Sequence, residues 1–165
     1  MISLKIKRLI ASALSLSFVL LLLFVPLFER LCISDKNSII LLLDCKGFEI
    51  SFTHSVNRGR VVDIYSIEGS TLVLRATRFS SYGAGMPDPT GSQTFVQKDD
   101  YYELGGIDMP LESLTMQTGV IADHHLAANG QEHIFNELVP SQTRLTLRAE
   151  QKSAAQLLAY YISLL

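Results

Sequence analysis

The chain has 165 residues, 48% of them apolar and 18% charged, with a formal net charge of −2. That length allows one ordinary domain beside a membrane segment, large enough to bury a core without a structural metal. Beyond residue 28 lie all sixteen acids but only eleven of the fourteen Lys and Arg, a net of −5 (11 − 16), which leaves no electrostatic footprint for nucleic acid and excludes that class.

Lys5, Lys7 and Arg8 precede Leu9–Phe28, twenty residues without a charge. As a helix this run covers about 30 Å, the hydrocarbon thickness of a bilayer. A cleaved signal peptide has a shorter apolar region and small residues at its cleavage site. The exit here is Val25-Pro26-Leu27-Phe28-Glu29-Arg30, with no such site, which predicts a retained transmembrane anchor. The basic residues before it place 1–8 in the cytoplasm and the rest outside. A linker over 29–37 follows.

Cys32 is not preceded by the small residues that lipidation requires. Cys32 and Cys45 are the only cysteines, and an even pair on the oxidising side favours a disulfide. The alternative is two thiols.

The span 38–150 reads as one β domain. Ser38–Asp44 is a short continuous apolar run, suited to a strand buried on both faces. Phe48, Ile50 and Phe52 then alternate with Glu49, Ser51 and Thr53, and the aromatic face continues to His54. Asn57, Arg58 and Gly59 suit a reversal over Ser55–Arg60. A six-residue loop there pairs His54 with Val61, Phe52 with Asp63, Ile50 with Tyr65 and Phe48 with Ile67. Asp63 then shares a face with His54, within diagonal reach. A slip of one residue would undo that.

Thr71–Phe79 reads as a strand with Leu72, Leu74 and Ala76 opposed to Arg75 and Thr77. Ser80–Gln93 is a Gly- and Pro-rich excursion long enough to be a functional loop. Strand-like pieces follow at Thr94–Gln97, Tyr101–Leu104, Leu111–Thr118 and His124–Ala128. Asn129-Gly130 then predicts a hairpin into Gln131–Phe135, and Thr143–Ala149 closes the β region. About nine strands without βαβ units predict an all-β fold, an antiparallel sandwich or a partly open barrel. Over 151–165 the period changes: Ala154, Leu157, Leu158, Tyr161, Ile162 and Leu165 share one face of a short amphipathic helix. It either caps an open side of the sheet or lies at the membrane interface.

Three constellations carry polar chemistry. The first is His54 with Asp63 and Ser55, Ser80 and Ser81, the residue types of a base-activated nucleophile. The chain has no G-x-S-x-G elbow, so a structural pair is the better reading. The second is Asp123, His124, His125 and His133. Neighbours on a strand point to opposite faces, so these histidines do not converge on one metal. The third is Tyr82-Gly83-Ala84-Gly85, whose glycines permit an anion-binding nest, with Arg58, Arg60 or Arg78 adding charge for a carboxylate. The expected recognition surface is therefore His54, Ser55, Asn57, Arg58 and Asp63 with Tyr82, Gly83, Ala84 and Gly85. No cofactor or metal is expected.

The elements His54-Ser55-Val56, the strand centred on Asp63, Gly83-Ala84-Gly85-Met86-Pro87 and Asp123-His124 resemble the bacterial domain-of-unknown-function 1850 family, over roughly Ile39–Ala149. Members look like single-span, outward-facing proteins of the cytoplasmic membrane, often encoded beside TRAP transporters of the TAXI type. Asp63 stands where the family more usually has Glu, which shortens its reach, and the cysteine pair is not part of the family's pattern. The resemblance implies a non-enzymatic, periplasm-facing accessory role in solute uptake, with TRAP membrane or solute-binding subunits as partners. The alternatives are a stand-alone domain that binds or senses a small acid, and a hydrolase with His54 as base.

Overall fold

The structure is a computed structural model, and it describes residues 4–81 and 87–165. The chain divides into a helical unit, Met1–Glu29 with Gln151–Leu165, and a β unit, Arg30–Glu150.

Helix α1 covers Leu4–Phe24 and stops one residue before Pro26, because a residue preceding proline is pushed out of the helical region. The span is therefore placed earlier than expected. Lys5–Phe24 is long and apolar enough to cross a membrane, and none of its most apolar window is buried. Ser12 returns its hydroxyl to the Leu9 carbonyl at 2.9 Å. Helix α3, Ala154–Ile162, begins with a capping box: Ser153 Oγ accepts from the Gln156 amide, and the Gln156 side chain accepts from the Ser153 amide. It buries no residue, and within its unit its neighbour is α1.

The β unit is built from two antiparallel-rich sheets that do not close into a barrel. The smaller has the order β2-β1-β11-β8, from β1 (Pro26–Ser34), β2 (Ile39–Leu43), β8 (Leu114–Gln117) and β11 (Arg144–Ser153). The larger has the order β10-β9-β3-β4-β5-β7-β6. Its strands are β3 (Gly47–Thr53), β4 (Arg60–Glu68), β5 (Thr71–Phe79), β6 (Thr94–Gln97), β7 (Tyr102–Leu111), β9 (His125–Ala128) and β10 (Gln131–Ile134). A single helical turn, α2 (Phe135–Leu138), follows β10.

The main core lies between the sheets: Leu31, Ile33, Leu145 and Leu147 from the smaller meet Phe48, Ile50, Tyr65, Leu72 and Leu126 from the larger. Phe48 and Tyr65, directly opposite on β3 and β4, stack with centroids 4.9 Å apart. A second cluster, Val61, Phe79 and Leu104 with Phe52, Tyr102 and Ile107 packed on it, occupies the other end of the larger sheet.

Several expectations change. Residues 29–34 belong to β1, not to a linker, because Leu31 and Ile33 supply a buried strand face. Strand β2 is an edge strand with an exposed Ile39, not one buried on both faces. The predicted Asn129-Gly130 hairpin forms, pairing Ala128 with Gln131 and Leu126 with His133, with positive φ at both turn residues.

Cys32 and Cys45 are buried thiols and do not form the expected disulfide. Cys32 lies opposite Leu42, three residues short of Cys45, or about 10 Å along a strand. A disulfide tolerates Cα separations only up to about 7 Å. Cys45 points into the core with Leu31 and Ile33, whereas Cys32 alternates to the other face of β1.

Candidate functional site

Strands β3 and β4 pair with Thr53 opposite Arg60, Phe52 opposite Val61, Ile50 opposite Asp63 and Phe48 opposite Tyr65. This differs from the predicted register by two residues. The reversal starts at His54 and closes at Gly59, with the His54 amide bonded to the Gly59 carbonyl and the Arg58 amide to the His54 carbonyl. A shift of two preserves faces, so Asp63 still points to the side of Phe52, but one repeat farther from His54 than diagonal contact allows.

His54 is occupied within its own loop. Its Nδ1 accepts from the amides of Val56 and Asn57, at 3.3 and 3.4 Å, which leaves Nε2 to carry the ring proton. Asn57 Oδ1 accepts from the Gly59 amide and its Nδ2 reaches the Ser81 carbonyl. Ser80 and Arg60 exchange two further bonds: the Arg60 amide to Ser80 Oγ, and the Ser80 amide to the Arg60 carbonyl. Gly59 is required where these segments meet, since a Cβ there would stand 2.8 Å from both Ser80 Oγ and Ser81 Oγ.

Asp63 finds its partner on β5. Thr77 was expected to face outward with Arg75, but the register of β5 against β7 shifts between Leu74 and Ala76, and that of β4 against β5 between Ile64 and Tyr65. Such a bulge reverses the alternation. Thr77 is therefore buried, opposite Asp63, and donates its hydroxyl to Asp63 Oδ1 at 2.7 Å.

Around this carboxyl lies a cleft of about 560 Å³. Its walls are apolar at Phe52, Val61, Leu74, Leu104 and Ile107; His54, Asp63 and Thr77 are polar groups on the sheet side. Pro87, Asp88, Thr90 and Gln93 form the facing wall, from the excursion after β5. There Gln93 Oε1 accepts from the Thr90 amide at 2.9 Å, fixing a turn in which Gly91 has φ +61°.

Burial raises the Asp63 pKa, although the Thr77 and Tyr65 hydrogen bonds pull it down. Burial, then the charge of Asp63, raises that of Tyr65. A carboxyl that keeps its proton in apolar surroundings can donate as well as accept; once ionised it selects a cation or a strong donor.

The cleft thus unites His54 and Asp63 from the predicted surface. Ser55 and Arg58 are exposed and do not line it; Arg58 holds φ 60° in the reversal. Asn57 ties the loop together. Tyr82, Gly83, Ala84 and Gly85 lie outside the described residues. Thr77, Asp88 and Gln93 were missed. A threonine on an apparently outward face carries no sequence signal for burial until the bulge is known.

Two of the three arginines expected to draw a carboxylate, Arg60 and Arg78, are engaged elsewhere. Arg60 bridges Ser51 Oγ at 2.7 Å and the Asp123 carbonyl at 2.9 Å, and Arg78 meets Glu103 at 2.6 Å. His125 lies between Asp123 and Glu132, at 3.1 and 2.9 Å. His124 packs at a tilt against Phe52 instead, with ring centroids 5.8 Å apart, its pKa lowered by burial and then by Arg60.

Residues 48–135, which include every described wall of the cleft, match the family described as domain of unknown function (DUF1850). The chain belongs to this family. No curated protein and no solved structure matches it. The DUF1850 segment begins at Phe48 in β3 and ends at Phe135 in α2, leaving α1, β1, β2, β11 and α3 outside the match.

Proposed function

We propose that this DUF1850 protein is a non-enzymatic, membrane-anchored recognition module that assists solute uptake. Helix α1 is the anchor, and Lys5, Lys7 and Arg8 orient it with the N-terminus in the cytoplasm and the β unit in the periplasm. The setting beside a TAXI-type TRAP transporter rests on the family resemblance. Recognition is assigned to the cleft, and one observation carries this: Asp63 sits half-buried, held by Thr77, in a cavity otherwise lined largely by apolar side chains. That pattern of an apolar pocket with few convergent polar groups is how small-molecule sites are built.

The ligand class follows from charge. No residue lining the described cleft is Lys or Arg, whereas Asp63 and Asp88 both belong to it. A compact apolar molecule bearing an amine or hydroxyl donor suits it better than a small acid. Catalysis is disfavoured because Asp63 is bonded to Thr77 and the His54 Nδ1 to its own loop, so no base is held by a carboxylate as hydrolysis needs.

Thermal unfolding of the detergent-solubilised full chain tests the ligand class, using amines, alcohols and carboxylates of matched apolar size. Amines or alcohols should raise Tm, and Asp63→Asn should remove the amine effect. Stabilisation by carboxylates alone, or an unchanged response in Asp63→Asn, overturns the assignment. For the transport role, deletion of the gene should lower uptake of one solute; undiminished uptake of all solutes tested refutes it.

A further inference from the structure

We propose that α3 is a second membrane-embedded element, held in the bilayer leaflet where α1 ends; this rests on the reading of α1 as a membrane anchor.

Three observations converge on a lipid surface. The first is composition. Ser153–Leu165 contains no charged residue, and the helix within it buries no side chain, leaving Leu158, Tyr161 and Ile162 each more than half exposed. Exposed apolar side chains on consecutive turns of an uncharged helix are unfavourable in water and favourable in acyl chains.

The second is position. Phe24 and Pro26, where α1 gives way to β1, line one crevice with Ser153, Ala155, Gln156 and Ala159, where β11 gives way to α3. Helix α3 therefore starts at the level at which α1 ends, and the two helices lie side by side in one unit. If Phe24 marks a membrane surface, α3 is at that surface.

The third is the backbone. Hydrocarbon leaves no water for unpaired amides and carbonyls. At its start the capping box satisfies the Ser153 and Gln156 amides. At its end the amides of Ser163, Leu164 and Leu165 return to the carbonyls of Tyr160, Tyr161 and Ile162, and Ser163 Oγ adds a bond to the Tyr160 carbonyl. The helix thus meets several of its own end groups, which lowers the cost of placing it in lipid. Nine residues cover only about 14 Å, so α3 does not span; Tyr160 and Tyr161 suit the headgroup boundary.

The chain has no tryptophan, so single-tryptophan variants report depth without background. Ile162→Trp and Leu158→Trp, at positions that bury nothing, are reconstituted as full chain in phosphatidylcholine vesicles with and without brominated acyl chains. Leu14→Trp in α1 and Val120→Trp in an exposed loop are the comparisons. Both α3 tryptophans should lose most of their emission to brominated lipid, as Leu14→Trp does, while Val120→Trp keeps its own. If Leu14→Trp is quenched and both α3 variants are not, α3 is outside the bilayer and the inference fails alone. Blue-shifted but unquenched α3 emission places the helix against protein and also overturns it. If Leu14→Trp is unquenched as well, the anchor reading falls with it.

Discussion

Thr77 donates its hydroxyl to Asp63 Oδ1 at 2.7 Å, directly across the β4–β5 ladder. The bond is local in space but depends on a bulge, since without it the two side chains would lie on opposite faces of the sheet. Thr77→Val keeps the shape and removes the donor. It should lower the unfolding free energy by about 1–2 kcal/mol in urea titration and move the Asp63 pKa further up, read by carboxyl NMR. A variant as stable as the parent, with Asp63 titrating as before, would show that the bond contributes nothing.

The raised pKa of Asp63 predicts a pH dependence with a definite sign. Its folded value lies above the ordinary 3.8, so the folded protein holds this proton more tightly than the unfolded chain. The stabilisation is full below 3.8 and is lost as pH rises through the folded value. Asp63→Asn cannot titrate. Unfolding free energy of the wild type minus that of the variant should therefore fall with pH across this window and level off above it. A difference that rises with pH contradicts the assignment.

Gly59 stands where the His54–Gly59 reversal meets Ser80 and Ser81, with no room for a Cβ beside either hydroxyl. Ser80 Oγ can rotate away only by giving up its bond from the Arg60 amide. Gly59→Ala should destabilise by about 1–2 kcal/mol, and adding Ser80→Ala and Ser81→Ala should relieve the crowding. Chemical denaturation of the single and triple variants measures both; a neutral Gly59→Ala would mean the two segments are not fastened there.

The Cys45 thiol is pushed up to about 11, by burial and then by the charge of Asp44. Thiolate is the reactive form, so Cys45 should resist iodoacetamide at about pH 8 in the native protein and react on unfolding. Peptide mapping without reductant should yield no Cys32–Cys45 linked pair. Recovery of that pair from the native protein would overturn the thiol assignment.

Local patterns were enough for much of the fold. The uncharged N-terminal run, the alternation in Phe48–Thr53, the Asn129-Gly130 turn and the change of period near Ser153 are short-range signals, and each appears in the structure as α1, β3, a hairpin and α3. Period two also placed Asp63 on the face of Phe52, and that survived a register error because a slip of two residues leaves every side chain on its face. Other features were settled only by the packed molecule. Loop closure at Gly59 depends on Ser80 and Ser81, some twenty residues away. The inward turn of Thr77 depends on two bulges that no composition announces. The separation of Cys32 from Cys45 depends on which residue of β2 lies opposite Cys32. Alternation is a property of one strand, and so the sequence by itself determined which face each residue takes within an unbroken run. Register, bulges and the meeting of distant segments are properties of pairs of strands, and these decided that Asp63 is held by Thr77 in a largely apolar cleft.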